Sequence, residues 1–265
     1  MNILIIGRGR VGCALRRSLA SSEQHAVVMA GRRWKPSSVR RADAVVLAVS
    51  DDSIETVAEK VAPDLSPGAT VLHCAGARGT EELGSCETRG AAVGVMHPLV
   101  SFPSKRCNPS LRETTFTVNG SPRAIVMSRR IARACGARVV VARTGDPGYH
   151  AAAAVAANGA AALAFVSVGA LERLGFDKRA AERAIGGLLK SVGENVQSLG
   201  VPDALTGPIA RGEAAAVSNH RRGLRRVSHD ALSAYDAVVP IIVKCARAAG
   251  LSPAKASKIL RATKA

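Results

Sequence analysis

A glycine-rich hexapeptide near the beginning of the sequence has the spacing of a phosphate-binding loop. It follows a short apolar run, opens a segment with helical spacing, and consists of Gly7, Arg8, Gly9, Arg10, Val11 and Gly12. In such a loop the first glycine permits a tight turn, the second lets backbone N–H groups approach a pyrophosphate, and the third lets the helix pack against the strand. The helix N-terminus adds unpaired amides and the positive end of its dipole. The hexapeptide predicts a dinucleotide-binding site, and an ordinary glycine-rich turn is the alternative.

Two arginines after the second apolar run indicate which dinucleotide is bound. A site that prefers NAD usually has Asp or Glu about 20 residues after the glycines, where the carboxylate binds the ribose 2′-hydroxyl. Here Gly31 is followed by Arg32 and Arg33, and no carboxylate lies between residues 23 and 43. Because a guanidinium pairs with a phosphate through parallel hydrogen bonds, we expect NADP(H). The alternative is that both arginines are solvated loop residues.

The next two apolar runs end in residues that could line the same site. These residues are Val49, Ser50, Asp51, His73 and Gly76. Ligands of doubly wound sheets bind beyond the carboxyl ends of the strands, which is where these residues are expected to lie. Ser50 is also a good helix N-cap, and the two roles are compatible.

Two histidines are candidates for proton transfer. His97 follows the fifth apolar run and precedes a proline, and His150 lies at the start of a long predicted helix. Since the pKa of histidine lies near neutrality, either ring could donate a proton or bind the substrate. A histidine that only supports the structure through a hydrogen bond is the alternative for His97.

An asparagine interrupts the same alanine-rich helix. Asn158 lies eight residues after His150, which is close to two helical turns and about 80° of rotation, so the two side chains share a broad face. An asparagine in a helix interior is costly unless its amide is paired. We therefore expect Asn158 to have a functional or interface role.

A segment rich in glycine and proline, residues 206–212, is predicted to be a loop between helices. It carries the hydroxyl of Thr206 and the guanidinium of Arg211, which could orient a carboxylate or phosphate. His220 lies on the following predicted helix. Four arginines come after it, and we interpret them as a solvated or anion-attracting face: Arg221, Arg222, Arg225 and Arg226. For Arg211 the alternative is that it caps a helix C-terminus.

Near-continuous apolar runs alternate with helical segments in the first half of the sequence. Strands are predicted at residues 2–6, 26–30, 43–49, 69–72, 91–96, 114–118 and 137–142. Helices are predicted at residues 11–19, 54–61 and after Pro122, and later at 151–171, 177–200, 212–226, 228–249 and 253–263. Such an alternation indicates a parallel sheet covered on both faces. We expect an α/β, doubly wound Rossmann domain over residues 1–145 and an all-helical substrate and dimerisation domain over residues 146–265.

Residues 151–171 carry no charge, and this uncharged run is long enough to cross a membrane. Eleven of these 21 residues are alanine and Asn158 lies among them. The flanks show no basic pattern that would set an orientation. We therefore expect a helix buried in the centre of the domain or in the interface of a homodimer, and no membrane partner.

Composition limits the classes of function. The 265 residues fit two domains, and 47% apolar with 22% charged residues excludes a disordered chain. Aromatic residues are 3% of the total, too few for recognition of single-stranded nucleic acid by stacking. Six cysteines without a CxxC pair favour neither disulfides nor a zinc site and suit a reducing cytosol. The first residues lack the basic region and cleavage site of a signal peptide, so we expect a cytoplasmic protein. From the cysteine spacing we expect no bound metal.

The net charge of +17 is compatible with two kinds of partner. One is nucleic acid or a membrane surface. The other is an anionic small molecule on an arginine-rich but otherwise ordinary surface. Because arginine is spread along the chain without a basic arm or a known nucleic-acid motif, we favour the second.

Several stretches together resemble the 6-phosphogluconate-dehydrogenase-like reductases, which join a Rossmann domain to a helical C-terminal domain. These stretches are DAVVLAVSDDSI, VLHCAGA, GVMHPLVSF, GYHAAAAVAAN and ALTGPIARGE. Pyrroline-5-carboxylate reductases and the deazaflavin-dependent NADP oxidoreductases belong to this superfamily. The sequence is most similar to an uncharacterised branch with a Rossmann-like domain and a C-terminal domain of unknown function.

The resemblance implies an enzyme that binds a nicotinamide cofactor and reduces its substrate. It also implies that the loop at Val49–Asp51 passes the ribose and nicotinamide side of the cofactor. The hydroxyacid dehydrogenases of the superfamily have a catalytic lysine four residues before a comparable asparagine, where this sequence has Ala154. A lysine-assisted oxidation of a hydroxyacid is therefore disfavoured.

We predict an NADPH-dependent oxidoreductase that reduces a small carbonyl or imine compound. Arg211, Thr206 and one of the histidines at 97, 150 and 220 would orient the substrate and supply the proton. The alternative is a nucleotide-binding sensor or regulatory protein without turnover, which the missing lysine leaves open.

Overall fold

The computed structural model describes residues 1–20, 25–104 and 109–263. Glu23, which begins the stretch without carboxylates that precedes Asp43, and Cys107, one of the six cysteines, lie outside these ranges. The chain forms two compact units, residues 1–154 and residues 155–265. The predicted boundary after residue 145 lies just before the long helix of residues 147–173, whereas the compact units divide inside that helix.

Seven strands form one sheet in the first unit. They are β1 (Asn2–Ile6), β2 (Ala26–Ala30), β3 (Ala44–Leu47), β4 (Thr70–His73), β5 (Ala92–Pro98), β6 (Thr115–Gly120) and β7 (Arg138–Val141). Their order across the sheet is β2-β1-β3-β4-β5-β6-β7. The strand order reverses next to β1, because β2 lies on one side of it and β3 on the other. The predicted doubly wound Rossmann-like architecture is confirmed.

The direction of the last two strands corrects the prediction of a fully parallel sheet. β5 and β6 are antiparallel, while β6 and β7 are parallel to each other. A parallel neighbour requires a crossover, usually a helix, that returns the chain to the starting edge. The described residues between β5 and β6 contain no helix, so β6 runs back alongside β5.

Helices cover both faces of the sheet. They are α1 (Arg10–Ala20), α2 (Pro36–Arg40), α3 (Ile54–Val61), α4 (Gly84–Glu87) and α5 (Pro122–Ala134). Ile3 and Ile5 of β1 pack with α1 and α5, whereas Leu4 and Ile6 pack with α2 and α3. Side chains of a strand alternate between the two faces, so a strand buried on both sides is apolar throughout. Residues 3–6 of β1 therefore form an unbroken apolar run.

The second unit is helical, as predicted. Its helices are the greater part of α6 (Pro147–Arg173), then α7 (Lys178–Leu199), α8 (Pro208–Arg211), α9 (Ala214–Val227), α10 (His229–Ala248) and α11 (Pro253–Ala262). The core of this unit is built by α8 to α11, with Val217, Val239 and Ile259 buried.

The segment predicted as a loop at residues 206–212 contains α8, which corrects that prediction. Gly207 and Gly212 have positive φ values of 96° and 82°, and Pro208 occupies the first helical turn. Proline is favoured in the first turn of a helix and a left-handed glycine directly after its end. The two glycines and the proline thus bound a single helical turn.

The expected burial of residues 151–171 by the rest of the chain is wrong. Within α6, all of whose residues are described, only Ala170 is buried, and the exposed fractions of Val155 and Phe165 are 76% and 79%. The described core of the second unit contains no residue of α6, in agreement with this exposure. Among the described residues, α6 is the helix long and apolar enough to cross a membrane, with a mean hydropathy of 1.8 in its most apolar window. A helix from the core of a soluble protein meets the same two criteria.

Candidate functional site

The glycine loop joins β1 to α1 at the point where the strand order reverses. Gly7 has a φ of 124°, and a Cβ atom there would lie 2.2 Å from the carbonyl oxygen of Ala48. A Cβ atom on Gly12 would lie 2.1 Å from the carbonyl oxygen of Gly7. Both positions therefore exclude any side chain. The glycines hold the loop against the end of β3 and bring the first turn of α1 close to β1.

Arginines surround the ends of β1 and β2. The side chain of Arg8 lies 3.7 Å from the position that a Cβ atom on Gly31 would take, and Gly31 directly precedes Arg32 and Arg33. All three guanidinium groups belong to exposed residues. Arg10 differs from them, because its NH1 donates to the carbonyl oxygen of Phe102 at 2.7 Å. The Arg10 side chain is thus engaged within the chain.

The segment after β3 begins with a short 3₁₀ turn, Asp51–Ser53. Ser50 occupies its N-cap position, but its hydroxyl shares a hydrogen bond of 2.8 Å with the Ser53 hydroxyl instead of accepting from a backbone N–H. Arg78 donates to Asp52 at 2.9 Å, which ties this turn to the segment that follows β4.

His73 organises the segment that follows β4. Its ring is fully buried, its Nε2 lies 2.8 Å from the carbonyl oxygen of Gly79, and its Nδ1 accepts from the N–H of Ala75 at 3.2 Å. Since a carbonyl can only accept, Nε2 carries the proton. Burial lowers the pKa of His73, so the ring is neutral. Both ring nitrogens are engaged within the chain, which makes His73 a positioning residue for residues 74–79; its predicted contact with a cofactor stays a prediction.

His97, at the end of β5, lies at the centre of a polar cluster. Its Nδ1 lies 2.8 Å from the hydroxyl oxygen of Tyr149, and the two rings meet edge to face with centroids 5.7 Å apart. The ring of His150 lies 6.2 Å away. A Cβ atom on Gly76 would lie 2.7 Å from the His97 ring, so a side chain there would displace the ring. Burial lowers the pKa of His97 to about 4, and the neighbouring His150 contributes in the same direction.

The first turn of α6 positions Tyr149 and His150. The carboxylate of Asp146 accepts from the N–H of Gly148 at 2.6 Å, and Pro147 is the first helical residue. Asp at the N-cap followed by Pro is a strong helix start. Tyr149 is not among the residues that the sequence predicts for the site. Its signal is weak: a tyrosine beside a candidate histidine, in a chain with two tyrosines in total.

In the second unit, the predicted substrate-binding residues have partners of their own or are exposed. Nε and NH2 of Arg211 donate to the two carboxylate oxygens of Glu213 at 2.5 and 3.3 Å. Thr206 and Asn158 are exposed. The alternative of Arg211 as a helix cap is not what the structure shows, because its guanidinium binds a carboxylate instead of helix carbonyls.

His220 forms a second histidine–tyrosine pair. Its Nδ1 lies 3.1 Å from the hydroxyl oxygen of Tyr235, with ring centroids 5.8 Å apart. Next to this pair, Arg221 donates to both carboxylate oxygens of Asp236 and so joins α9 to α10. Of the four arginines that follow His220, Arg221 is therefore a structural residue.

The structure thus divides the predicted site residues between the two units. In the first unit Gly76, His97 and His150 lie together with Tyr149, and Asp51 is close enough to act electrostatically on His97. The predicted residues at 158, 206, 211 and 220 belong to the second unit. Among residues 1–20, 25–104 and 109–263, no three His, Cys, Asp or Glu side chains are arranged to hold a metal ion.

The chain is similar to one protein family and to proteins of known structure. Residues 114–240 match a family described as a domain of unknown function (DUF2520). No curated protein matches the sequence. A solved structure of a Thermotoga maritima protein is similar, with a TM-score of 0.64, 24% identity, and coverage of 93% of this chain and 99% of that one.

Two reductases of solved structure share the fold. A Plasmodium falciparum pyrroline carboxylate reductase with NADP bound is 16% identical, with a TM-score of 0.62 and coverage of 93% of this chain and 98% of that one. A Streptomyces aurantiacus imine reductase is 14% identical, with a TM-score of 0.63 and coverage of 98% and 99%. The chain therefore has the two-part fold of the Rossmann-like NADP oxidoreductases, a mostly parallel sheet followed by a helical domain, and carries a DUF2520 match over residues 114–240.

Proposed function

We propose that this chain is an NADPH-dependent reductase of a small carbonyl or imine compound. The glycine loop carries the proposal, since Gly7 and Gly12 exclude side chains and bring backbone amides and the N-terminus of α1 to one place. This cradle fits the pyrophosphate of a dinucleotide. The reduced nicotinamide, when bound, supplies the hydride.

The arginines support NADPH over NADH. Arg8, Arg32 and Arg33 extend from the ends of β1 and β2, where a dinucleotide held by the glycine loop has its ribose 2′ position. β1 and β2 contain no carboxylate that would bind a ribose 2′-hydroxyl. Three guanidinium groups suit the binding of a 2′-phosphate instead. Arg10 is less suited to a phosphate contact because Phe102 already accepts from it.

The two reductases named above support a substrate with a C=N bond. In the first unit, the cluster around His97 offers groups that can move a proton. Arg211 and Thr206 remain candidates for orienting an anionic substrate, and Arg211 would then exchange the carboxylate of Glu213 for that of the substrate. His220 and Asn158 remain candidates on sequence grounds.

The test uses Trp34, the single tryptophan of the chain, which follows Arg33 and packs against the core. NADPH is expected to quench its fluorescence at lower concentration than NADH. NADPH is then mixed with cyclic imines, ketones and 2-oxo acids, and its absorbance is followed. Consumption with at least one compound supports the reductase. Binding without consumption favours the alternative, a nucleotide-binding sensor, and no binding of either nucleotide contradicts both.

We also propose that the chain forms a homodimer through α6 and α7. Leu188, Val192 and Val196 of α7 follow one another at helical spacing and are exposed, as are Val155 and Phe165 of α6. Exposed apolar side chains in this number mark an interaction site. A second copy of the chain presents the same apolar surface, which two-fold symmetry can pair with itself.

A further inference from the structure

The hydroxyl of Tyr149 is the polar group held most tightly against His97. It lies 2.8 Å from Nδ1 of His97. The first turn of α6, fixed by Asp146 and Pro147, sets the height of the tyrosine. The absence of a side chain at Gly76 leaves room for the imidazole ring. Three separate segments of the first unit thus define one phenol–imidazole pair.

We propose that Tyr149 donates the proton in the reduction and that His97 returns a proton to it. This inference rests on the reductase function proposed above and assigns the proton donor within that site. Tyr149 is the catalytic residue, because its hydroxyl would contact the reacting atom. His97 is a positioning and relay residue that acts through Tyr149.

The charge state of His97 supports a relay through a neutral ring. Burial lowers the pKa of His97 to about 4, so at neutral pH the ring carries a single proton. The groups that face it are Asp51, His73 and His150. With the proton on Nδ1, the ring donates to the tyrosine oxygen and the phenol hydrogen is free to point at a substrate.

The proton balance of the step is complete. As the carbon of the C=N or C=O bond receives the hydride, the O–H bond of Tyr149 breaks and a new N–H or O–H bond forms on the substrate. The phenolate takes the Nδ1 proton of His97, and Nε2 of the same ring takes a proton from water. His150 is exposed, and its ring centroid lies 6.2 Å from that of His97, so the pair lies beside a solvent-accessible group. The ring ends neutral, as its other tautomer.

The second unit provides a matched control in the pair of His220 and Tyr235. Its hydroxyl-to-Nδ1 distance is 3.1 Å and its ring geometry is nearly the same. Burial raises the pKa of Tyr235, and Asp236 contributes in the same direction, which makes its phenol a poorer acid. Tyr235→Phe therefore removes the same chemical group from an equivalent pair that belongs to the second unit.

The first experiment compares rates in wild type, Tyr149→Phe and Tyr235→Phe, using NADPH and the compounds of the panel above. Loss of a positioned general acid is expected to lower kcat about a hundredfold in Tyr149→Phe. NADPH affinity, read from Trp34 fluorescence, should stay within about twofold, and Tyr235→Phe should lower kcat far less than Tyr149→Phe. If wild type consumes NADPH and Tyr149→Phe keeps its kcat within about threefold, the inference fails and the reductase function stands. If wild type reduces nothing, the function itself fails, and the inference with it.

A second experiment does not depend on turnover. The ¹⁵N chemical shifts of the His97 ring report which nitrogen carries the proton. We expect protonation at Nδ1 in wild type and in Tyr235→Phe, and loss of this preference in Tyr149→Phe. A His97 ring protonated at Nε2 in wild type would overturn the inference, because the phenol hydrogen would then be engaged with Nδ1.

Discussion

At the scale of single residues, the proposed role of the arginines after β2 predicts the choice of dinucleotide. Replacing both Arg32 and Arg33 by serine would remove the proposed charge-assisted hydrogen bonds to a 2′-phosphate. The dissociation constant of NADPH is expected to rise about ten- to a hundredfold, while that of NADH changes little. Arg16→Ser, on the exposed side of α1, is the control. Equal losses for the two nucleotides would contradict a 2′-phosphate contact.

His97 should make the stability of the protein depend on pH. Its pKa is about 4 in the folded chain and about 6.5 for an unfolded histidine. The unfolded state therefore binds a proton first as the pH falls, and the free energy of unfolding decreases between about pH 6.5 and pH 4. The contribution is fully present above this interval. His73, whose pKa is also lowered by burial, adds to the same trend.

His97→Gln is expected to flatten this dependence by on the order of 1–2 kcal/mol, less than the full shift would give because the ring is partly exposed. Urea denaturation at several pH values measures it. His229→Gln, at the exposed start of α10, serves as the control. An unchanged pH slope in His97→Gln would show that this ring is not desolvated.

The residues of the candidate site differ in how far sequence could predict them. The glycine loop is a local pattern, so its position between β1 and α1 could be predicted from the sequence. The pair of His97 and Tyr149 joins residues 52 positions apart, and neither has a neighbour whose type requires the other. The carboxylate partner of Arg211 is Glu213, only two residues away. A flexible arginine side chain can reach several partners, however, and the sequence does not show which one it binds.

At the scale of helices and strands, apolar periodicity predicted most of the fold. The bounds of β1, β2 and α3 agree with the apolar runs from which they were predicted. The direction of β6 could not be predicted this way, since an apolar run looks the same in either direction. The same limit applies to α6, where periodicity shows that a helix is apolar but not what covers it.

The proposed dimer gives a prediction for α6 and α7. Phe165→Glu or Leu188→Glu would place a charge in the apolar surface, and burial of an unpaired charge is strongly unfavourable. Each substitution is expected to convert the dimer to a monomer at micromolar concentration in sedimentation experiments. Val126→Glu changes an exposed valine of α5 in the first unit and should leave the dimer intact. A wild-type chain that sediments as a monomer would contradict the proposal.

At the scale of the whole molecule, the net charge of +17 is unevenly distributed. α1 and α5 carry arginines and no acidic residue, whereas α3 carries Glu55 and Glu59. A positive surface beside the glycine loop attracts an anionic dinucleotide and raises its association rate. This field is screened by salt over a distance that shrinks from about 30 Å at 0.01 M to about 8 Å at 0.15 M.

The association rate constant of NADPH is therefore expected to fall about tenfold over this range of salt. Stopped-flow quenching of Trp34 measures it. NADH, which lacks the 2′-phosphate, is the matched ligand and should show a shallower dependence. Identical salt dependences for the two nucleotides would show that the arginines do not attract the 2′-phosphate during association.

The proposed dimer through α6 and α7 would also make the stability of the fold depend on the protein concentration. If partner binding covers this surface, the folded state is favoured by mass action, and a tenfold higher protein concentration adds about 1.4 kcal/mol to the stability of the dimer. The melting temperature should then rise with concentration in wild type and stay constant in Phe165→Glu. At a low expression level, a larger fraction of the chain would accordingly be unfolded. The stability of a variant could also rise or fall with the copy of the chain with which it is co-expressed.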